Sequence, residues 1–488
     1  MRRRGDRRAG GEPGAVRLRS APRGGGAGPH PGPPRPDRRR PAAHPRGGAV
    51  RGGVQPGRPV HHALQPDRPG RRAVRRLRAR PRPGLAHRVP RPPRRDRHRP
   101  GPGRRRAAPL RRRLHRRPAP ALTPYPLPTP LPPEDTVRFG LSFLPDSTPA
   151  TKAPTAYYDE VLELARYGDQ AGFDYVKMTE HYLHPYGGYC PSPLTFLTAV
   201  AAQTRNIRLI TGCVLPVFHH PVQLASLIAM VDAISNGRLE IGFARAYLPH
   251  EFVSFDVPMD GSRARFEATV AAVHRLLTEE KVSEETPFFT LRDATVLPRP
   301  TQQPRPPFWI AAVQTPASFR RIGELGYGLL ITPTGRDFDT SMVELYRESF
   351  AAHHPGERAR VMASMPLVVA DTDQEARAIA DPHLNRYLQV WGSALESWDE
   401  TVSSDYAQYT GLAASIRTLT AKDLRANGSA IVGSPEHVVE QIGRFQERTH
   451  ADGLLWQADF GDFGGAAAMR STELFADKVR PHFPAVAQ

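Results

Sequence analysis

The amino-acid sequence predicts a (β/α)8 TIM barrel, an α/β fold, over residues 137–488, preceded by a disordered segment. Three observations support this fold class. Short strand patterns alternate eight times with longer helical patterns, and the roughly 350 residues suit one such domain. No GxGxxG turn of open dinucleotide-binding sheets occurs in this part of the chain. An open, doubly wound sheet is the alternative architecture.

The eight predicted strands are short runs of apolar residues bounded by glycine, proline or polar residues. In chain order they cover residues 137–143, 173–181, 207–216, 238–245, 306–313, 327–332, 359–370 and 452–460. The third strand is apolar on both faces, which is typical of a buried parallel strand.

Helical patterns separate these strands. They cover residues 157–173, 193–204, 221–237, 264–280, 316–326, 340–353, 373–391, 434–449 and 467–483. Pro221 begins the third helix and Asn236-Gly237 ends it, in the order expected of helix termini. We predict that Ser434 caps the next-to-last helix. Residues 393–428 carry no clear pattern and are predicted to form an irregular insertion that acts as a mobile lid.

The segment 1–136 differs from the rest of the chain in charge. It holds 37 arginines, no lysine and seven acidic residues, which leaves 31 basic and 41 acidic residues for 137–488. It also lacks Phe, Trp and Ile, so it cannot bury enough apolar surface to fold. Three interpretations stay open: translated GC-rich DNA upstream of a true start at Val137, a basic arm that binds nucleic acid, or a targeting peptide.

The cysteine content and hydropathy exclude several classes of protein. Cys190 and Cys213 are the two cysteines, so neither a zinc pattern nor a disulfide framework is supported. No apolar run is long enough to span a membrane, and no signal peptide is apparent. We therefore expect a cytoplasmic protein.

The barrel prediction directs attention to the residues that follow each strand, where barrel enzymes carry their chemistry. His181 ends the second strand, and an imidazole can donate, accept or hold a proton near neutral pH. His181 is therefore the candidate catalytic residue, and an ordinary loop histidine is the alternative. Glu180 is expected to orient a neighbour. The HxxH spacing of His181 and His184 is not a ligand geometry at a strand end, so no metal is predicted.

A second group of candidates suits an anion. Arg245 follows the fourth strand, and its planar guanidinium can donate hydrogen bonds in pairs to a phosphate. Thr315-Pro316 looks like the start of a helix after the fifth strand, where free N–H groups favour an anion. A plain helix cap is the alternative. Together these residues predict a phosphorylated substrate or a nucleotide-like cofactor.

Two features resemble a known family. Glu180-His181 follows the second strand, and the chain also contains the pattern DxxSxGRxxxGxxR. The pattern is formed by Asp232, Ser235, Gly237, Arg238, Gly242 and Arg245. This combination is similar to the bacterial luciferase-like flavin-dependent monooxygenases, and the similarity covers essentially all of 137–488.

The resemblance implies an enzyme that uses reduced FMN from a separate reductase, activates O2 as a flavin hydroperoxide and oxygenates a small organic substrate. By position, His181 matches the catalytic histidine and Arg245 the arginine that holds the FMN phosphate. Further cofactor contacts are expected from Gln314, Thr315, Ser318, Tyr247 and a cis peptide at Gly212-Cys213. We expect Phe143, Tyr182 and His184 to line the substrate pocket.

Several alternatives remain within the resemblance. A deazaflavin-dependent oxidoreductase shares the barrel, but ARAYLPHEF after the fourth strand favours FMN. A non-catalytic flavin-binding partner subunit is a further alternative, which the presence of His181 disfavours. We expect a homodimer in secondary metabolism, with O2, an organic substrate and a flavin reductase as partners and no membrane association.

Overall fold

The structure is a computed structural model that describes residues 137–333, 340–409 and 411–483. The predicted disordered segment 1–136 lies outside the described residues. The strands are β1 (Arg138–Phe143), β2 (Tyr175–Met178), β3 (Arg208–Thr211), β4 (Leu239–Phe243), β5 (Val282–Glu285), β6 (Thr290–Ala294), β7 (Phe308–Ala311), β8 (Gly328–Ile331), β9 (Val361–Val369), β10 (Ile431–Gly433) and β11 (Gly453–Gln457).

Helices alternate with these strands. They are α1 (Pro154–Gln170), α2 (Pro193–Gln203), α3 (Pro221–Ile234), α4 (Pro249–Ser254), α5 (Ser262–Thr278), α6 (Pro316–Glu324), α7 (Ser341–His353), α8 (Asp373–Ala394), α9 (Leu412–Arg417), α10 (Ala421–Ala426), α11 (Pro435–Thr449) and α12 (Gly465–Leu474). Six of the α-helices begin with proline after a strand or loop, because proline at the first position needs no N–H partner. Ser434 caps α11 as predicted, accepting a hydrogen bond from the backbone N–H of His437.

Eight parallel strands close into a barrel in the order β1-β2-β3-β4-β7-β8-β9-β11. Closure follows from β11, which pairs with β9 on one side and with β1 on the other. These eight strands are the eight predicted from the sequence. The (β/α)8 barrel is therefore confirmed, and the open sheet is wrong.

Two features were not predicted. The strands β5 and β6 form an antiparallel hairpin, and β10 pairs with the end of β9 outside the ring. The predicted insertion at 393–428 contains more helix than expected: α8 continues to Ala394, and short helical segments follow it. These segments are Leu395–Trp398, Ser404–Tyr409, α9 and α10. A capping box between Thr420 and Asp423 begins α10.

A buried polar cluster fills the amino-terminal end of the barrel. Glu240 accepts hydrogen bonds from Trp309 Nε1 at 2.6 Å and Arg208 Nε at 2.5 Å. The guanidinium of Arg360 lies over the Trp309 ring, with its carbon 4.6 Å from the ring centroid. Side chains fill this end of the barrel and leave no room for a ligand there. A ligand site is therefore expected at the carboxyl-terminal end.

The helices of the structure do not include a membrane span: among the described residues, none combines the length and the apolar character needed to cross a bilayer.

Candidate functional site

A cavity of about 820 Å³ opens at the carboxyl-terminal ends of the barrel strands. Its wall includes residues that directly follow β2, β3, β4, β7 and β8. These residues are Thr179–His181, Gly212–Cys213, Ala244–Tyr247, Ala312–Thr315 and Thr332–Pro333. The cavity thus lies where a barrel enzyme carries its site.

Most of the predicted site residues share this cavity. Eight of them line its wall: His181, Gly212, Cys213, Arg245, Tyr247, Gln314, Thr315 and Ser318. The peptide bond between Gly212 and Cys213 is cis, as the resemblance implied. His181 and Arg245 therefore face the same opening.

The three residues predicted for the substrate pocket do not line this cavity. Phe143 is fully buried and packs edge-to-face on Phe196 of α2, because alternation along β1 points it toward the helices. The ring of Tyr182 packs on Phe255 at 4.7 Å, and its hydroxyl donates to Glu180 at 2.7 Å.

His184 is also directed away from the cavity. Its Nδ1 accepts a hydrogen bond from the Tyr186 N–H at 3.1 Å, and its Nε2 lies 3.3 Å from Ser393 Oγ. Burial lowers the pKa of His184 to about 4, so this imidazole is neutral. Both ring nitrogens are engaged within the protein, and His184 does not line the cavity.

His181 is held by a carboxylate that the sequence did not reveal. Its Nδ1 lies 3.0 Å from Glu251 Oε1, and the same oxygen accepts the backbone N–H of Tyr182 at 2.9 Å. Glu251 lies on α4 and is fully buried. Because an ionised carboxylate only accepts, Nδ1 donates this hydrogen bond, and in the neutral form of the ring Nε2 is then the acceptor.

The loop after β2 fits closely around His181. Gly187 has φ of +76°, and a Cβ built there would lie 2.6 Å from the Cβ of His181. A larger residue at 187 would therefore both strain the backbone and push the imidazole out of place.

Glu180 is buried and belongs to a separate cluster of three residues. Its Oε1 accepts from Tyr182 Oη at 2.7 Å and lies 2.8 Å from His219 Nε2. Glu180 thus orients its neighbours, as expected, but it does not contact His181. The adjacent His220 caps α3 by accepting the N–H of Val222.

One end of the cavity is suited to an anion. Thr315 is the N-cap of α6. Pro316 has no N–H, and the Ser318 N–H donates to Thr315 O at 2.9 Å. The Ala317 N–H is therefore the first-turn donor without a partner among the described residues.

Arg245 Nη2 donates to the backbone oxygen of Asp405 at 3.0 Å. Its buried Nη1 lies 3.7 Å from Asp405 Oδ2, an ion pair, and makes no hydrogen bond within the described residues. Arg263, which was not predicted, adds a second guanidinium 3.5 Å from Ser318 Oγ.

The floor of the cavity is polar and was also not predicted. Lys177 on β2 is 8 % exposed, and its Nζ donates to the hydroxyls of Ser142, Ser364 and Thr179 at 3.1, 3.4 and 3.5 Å. Gln457 on β11 is 5 % exposed, and its Nε2 has no hydrogen-bond partner in the described part of the chain. Donors are therefore concentrated at this floor.

Aromatic side chains cover another part of the cavity. This aromatic wall comprises Tyr186, Tyr247, Tyr387, Trp391, Tyr406 and Tyr409. Tyr247 stacks on Tyr409 with ring centroids 5.5 Å apart and accepts a hydrogen bond from Trp391 Nε1 at 3.1 Å. Tyr406 and Tyr409 belong to the short helical segment that follows α8, so this insertion contributes directly to the cavity.

The pattern DxxSxGRxxxGxxR has mainly a structural role. Asp232 accepts hydrogen bonds from the backbone N–H groups of Thr301 and Gln302 at 2.7 and 2.9 Å. Arg238 is buried and donates to backbone carbonyls such as Ile207 O at 2.8 Å. Of the six pattern residues, Arg245 is the one that lines the cavity.

No group of three or more His, Cys, Asp or Glu side chains within the described ranges is arranged to hold a metal ion. Cys213 is buried, and burial raises the pKa of its thiol to about 12, so it stays protonated.

A barrel with a histidine–carboxylate pair and an anion-binding end in one cavity defines a class of cofactor-dependent enzymes. The luciferase-like monooxygenase family profile matches residues 137–451. The chain belongs to the luciferase-like monooxygenase family, and it is an enzyme of this class.

Similar proteins support this assignment. The crystal structure of the monooxygenase RslO1 from Streptomyces bottropensis is 36% identical, with a TM-score of 0.60, over 71% of this chain and 99% of that one. The oxygenase component of a flavin-dependent trigonelline monooxygenase from Acinetobacter baylyi is 25% identical over 71% of this chain and 96% of its own length.

The family also contains members that use another cofactor. An F420-dependent glucose-6-phosphate dehydrogenase from Beutenbergia cavernae is 28% identical over 59% of this chain and 84% of its own length. The family alone therefore does not decide between a flavin and a deazaflavin.

Proposed function

We propose that this protein is the oxygenase component of a two-component system. It takes reduced FMN from a separate reductase and uses O2 to oxygenate a small organic substrate. The observation that carries this proposal is the shared cavity of His181 and Arg245, which provides a proton-handling group and an anion-binding group for one ligand. The oxygenase component from Acinetobacter baylyi supports the two-component arrangement.

Arg245, Gln314, Thr315 and Ser318 would hold the FMN phosphate. The Nη1 atom of Arg245, which makes no hydrogen bond among the described residues, and the Ala317 N–H at the start of α6 are donors that suit a dianionic phosphate. When bound, reduced FMN supplies the electrons that activate O2. The cavity volume of about 820 Å³ leaves room for an organic substrate beside the cofactor.

His181 would hold or move a proton at its Nε2 atom. Glu251 fixes the ring by accepting a hydrogen bond from Nδ1–H, so the orientation of the imidazole is set before any ligand binds. Glu251 does not line the cavity, and its role is therefore to position His181.

The aromatic wall would exclude water from the reaction and contact the substrate. Its rings are apolar on their faces and carry hydroxyl or indole groups at their edges, which suits an organic substrate with an extended apolar surface. We also propose that the predicted insertion, about residues 393–428, acts as a lid, because it supplies Tyr406 and Tyr409 to the cavity wall and would admit ligands by moving.

Oxygen consumption tests this proposal. The full chain is supplied with FMN, NADH and a flavin reductase, and O2 uptake, hydrogen peroxide and oxygenated product are measured across organic substrates. We expect substrate-dependent product, and we expect His181→Ala to bind FMN normally but to release hydrogen peroxide in place of product. Failure of the protein without substitutions to bind FMN would contradict the proposal.

A deazaflavin-dependent oxidoreductase is the second candidate, favoured by the F420-dependent relative from Beutenbergia cavernae. Anaerobic assays separate the two functions. Turnover of an alcohol with oxidised F420 in the absence of O2 would support the second candidate. A strict requirement for O2 would support the first.

A further inference from the structure

The floor of the cavity contains a cation that the proposed function does not use. Lys177 extends inward from β2, and its stem lies against Gly212, where a built Cβ would be 2.0 Å from Lys177 Cε. Glycine at 212 therefore leaves the space that this lysine occupies. Lys177 and the Gly212-Cys213 peptide form adjoining parts of one cavity wall.

The surroundings of Lys177 differ from those of an ordinary buried cation. Buried charges are usually paired with an opposite charge, because desolvation is costly. The acceptors of the Lys177 ammonium among the described residues are hydroxyls of Ser142, Ser364 and Thr179. Burial lowers the pKa of Lys177, and the Asp459 carboxyl acts in the opposite direction. An anionic partner from outside the chain would stabilise the charged amine.

Gln457 provides a second and independent indication of a ligand. It aligns with Ser142 on the neighbouring strand, as does Lys177 on the other side, so the three residues lie on adjacent strands at one level of the barrel. The Gln457 amide nitrogen is buried and lacks an acceptor among the residues described. An unused buried donor costs free energy unless a ligand satisfies it.

We propose that Lys177 and Gln457 form an oxyanion site in the cavity floor, which binds a carbonyl or anionic oxygen of the ligand. This inference rests on the proposed function and extends it. Two sources of such an oxygen fit the chemistry: the pyrimidine edge of the reduced flavin ring, which carries negative charge, or a phenolate or enolate oxygen of the substrate.

The test compares Lys177→Met with Lys281→Met in the full-length protein. Lys281 is exposed at the start of the β5–β6 hairpin and serves as the matched control. Replacing a buried charge by an apolar side chain of similar volume is often neutral or stabilising, so Lys177→Met is expected to fold. Circular dichroism and the melting temperature check this for both variants.

Dissociation constants are then measured for oxidised FMN, for anaerobically reduced FMN and for para-nitrophenolate, the last with cofactor-free and FMN-loaded protein. If the flavin supplies the oxygen, Lys177→Met weakens binding of reduced FMN roughly 10- to 100-fold, with little change for oxidised FMN. If the substrate supplies it, the loss falls on para-nitrophenolate. Gln457→Leu should produce a smaller loss in the same measurement.

Unchanged constants for both FMN forms and for para-nitrophenolate in folded Lys177→Met would overturn the oxyanion site. If Lys177→Met does not fold, the same result with Gln457→Leu would overturn it. Failure of the proposed function gives a different pattern, in which the unchanged protein binds neither form of FMN. In that case the oxyanion site is tested by para-nitrophenolate binding to the cofactor-free protein alone, compared between Lys177→Met and the protein without substitutions.

Discussion

The Nδ1 atom of His181 lies 3.0 Å from the Oε1 atom of Glu251, although 70 positions separate the two residues in the chain. This contact joins the loop after β2 to the short helix α4. It fixes which ring nitrogen faces the protein and which faces the cavity. The histidine that the sequence suggested is thus half of a pair, and the carboxylate gives the first prediction.

Replacing Glu251 with Gln should lower kcat roughly 10- to 100-fold, since the imidazole loses a charged partner that sets its orientation. KM for the organic substrate and the dissociation constant for FMN should change little, because Glu251 touches neither. Steady-state product formation and FMN titration measure the two effects separately.

Glu180→Gln is the matched control for this variant. Glu180 is a similarly buried carboxylate beside a histidine, but it contacts His219 and Tyr182. We expect a smaller change in kcat. Equal losses in both variants would mean that the His181–Glu251 contact has no special role.

Arg245→Ala should weaken FMN binding about 10- to 100-fold, because it removes charge-assisted hydrogen bonds to the phosphate. The FMN affinity of Arg245→Lys should lie between those of Arg245→Ala and the protein without substitutions, since lysine keeps the charge but lacks the planar guanidinium. Arg444→Ala, at an exposed helix position, is the control. Fluorescence titration measures each constant, and unchanged affinity in Arg245→Ala would refute the phosphate assignment.

Asp232→Ala should destabilise the fold by about 3 kcal/mol, because the donors of Thr301 and Gln302 lose their buried acceptor. The folded protein should still bind FMN normally, since Asp232 is remote from the cavity wall. Urea unfolding and FMN titration measure these two properties, with Asp159→Ala at an exposed position of α1 as the control. A specific loss of FMN affinity would instead place this residue in the cofactor site.

Asp146 makes stability depend on pH. It is fully buried, and burial raises the pKa of its carboxyl to about 7. The folded protein then binds the proton more tightly than the unfolded chain does. This bound proton stabilises the folded protein. Its contribution to the unfolding free energy is fully present below about pH 4 and is lost as the pH rises through about 7, by up to ~1.4 kcal/mol per pH unit.

Asp146→Asn should therefore flatten the decline in unfolding free energy across this pH range. Asp459, whose pKa burial raises to about 6, acts in the same direction, so the slope should decrease without disappearing. Urea unfolding at several pH values measures it, and Asp159→Asn is the control. An unchanged slope in Asp146→Asn would show that this carboxyl is not the source.

Much of the fold was predictable because the barrel strands are short apolar runs, which can be recognised from their own residues without knowing which strands they pair with. The hairpin β5–β6 was not, since its residues are largely exposed and polar and lack the pattern of a buried strand. The short helices within the predicted insertion at 393–428 were not predicted, for a related reason. They depend on contacts such as Tyr406 with Ser262, which sequence spacing does not reveal.

The candidate site was predictable where a residue directly follows a strand, as His181 and Arg245 do. Phe143 was misplaced because the last residue of a strand points to either face according to register, and here it points outward. Glu251 was missed because it lies on a six-residue helix distant in sequence from its partner. Lys177 was missed because it lies within an apolar strand and gives no sign of its direction.

The contacts of Arg245 also link the cavity to the segment Ser404–Tyr409. Asp405 contacts this guanidinium, and the Tyr406 ring lies 3.9 Å from its central carbon. An anion that binds Arg245 would therefore change the free energy with which Ser404–Tyr409 packs against the cavity. By thermodynamic reciprocity, anything that loosens this segment changes the affinity for the anion by the same factor. Under the proposed function, anion binding and the position of Ser404–Tyr409 are thus coupled.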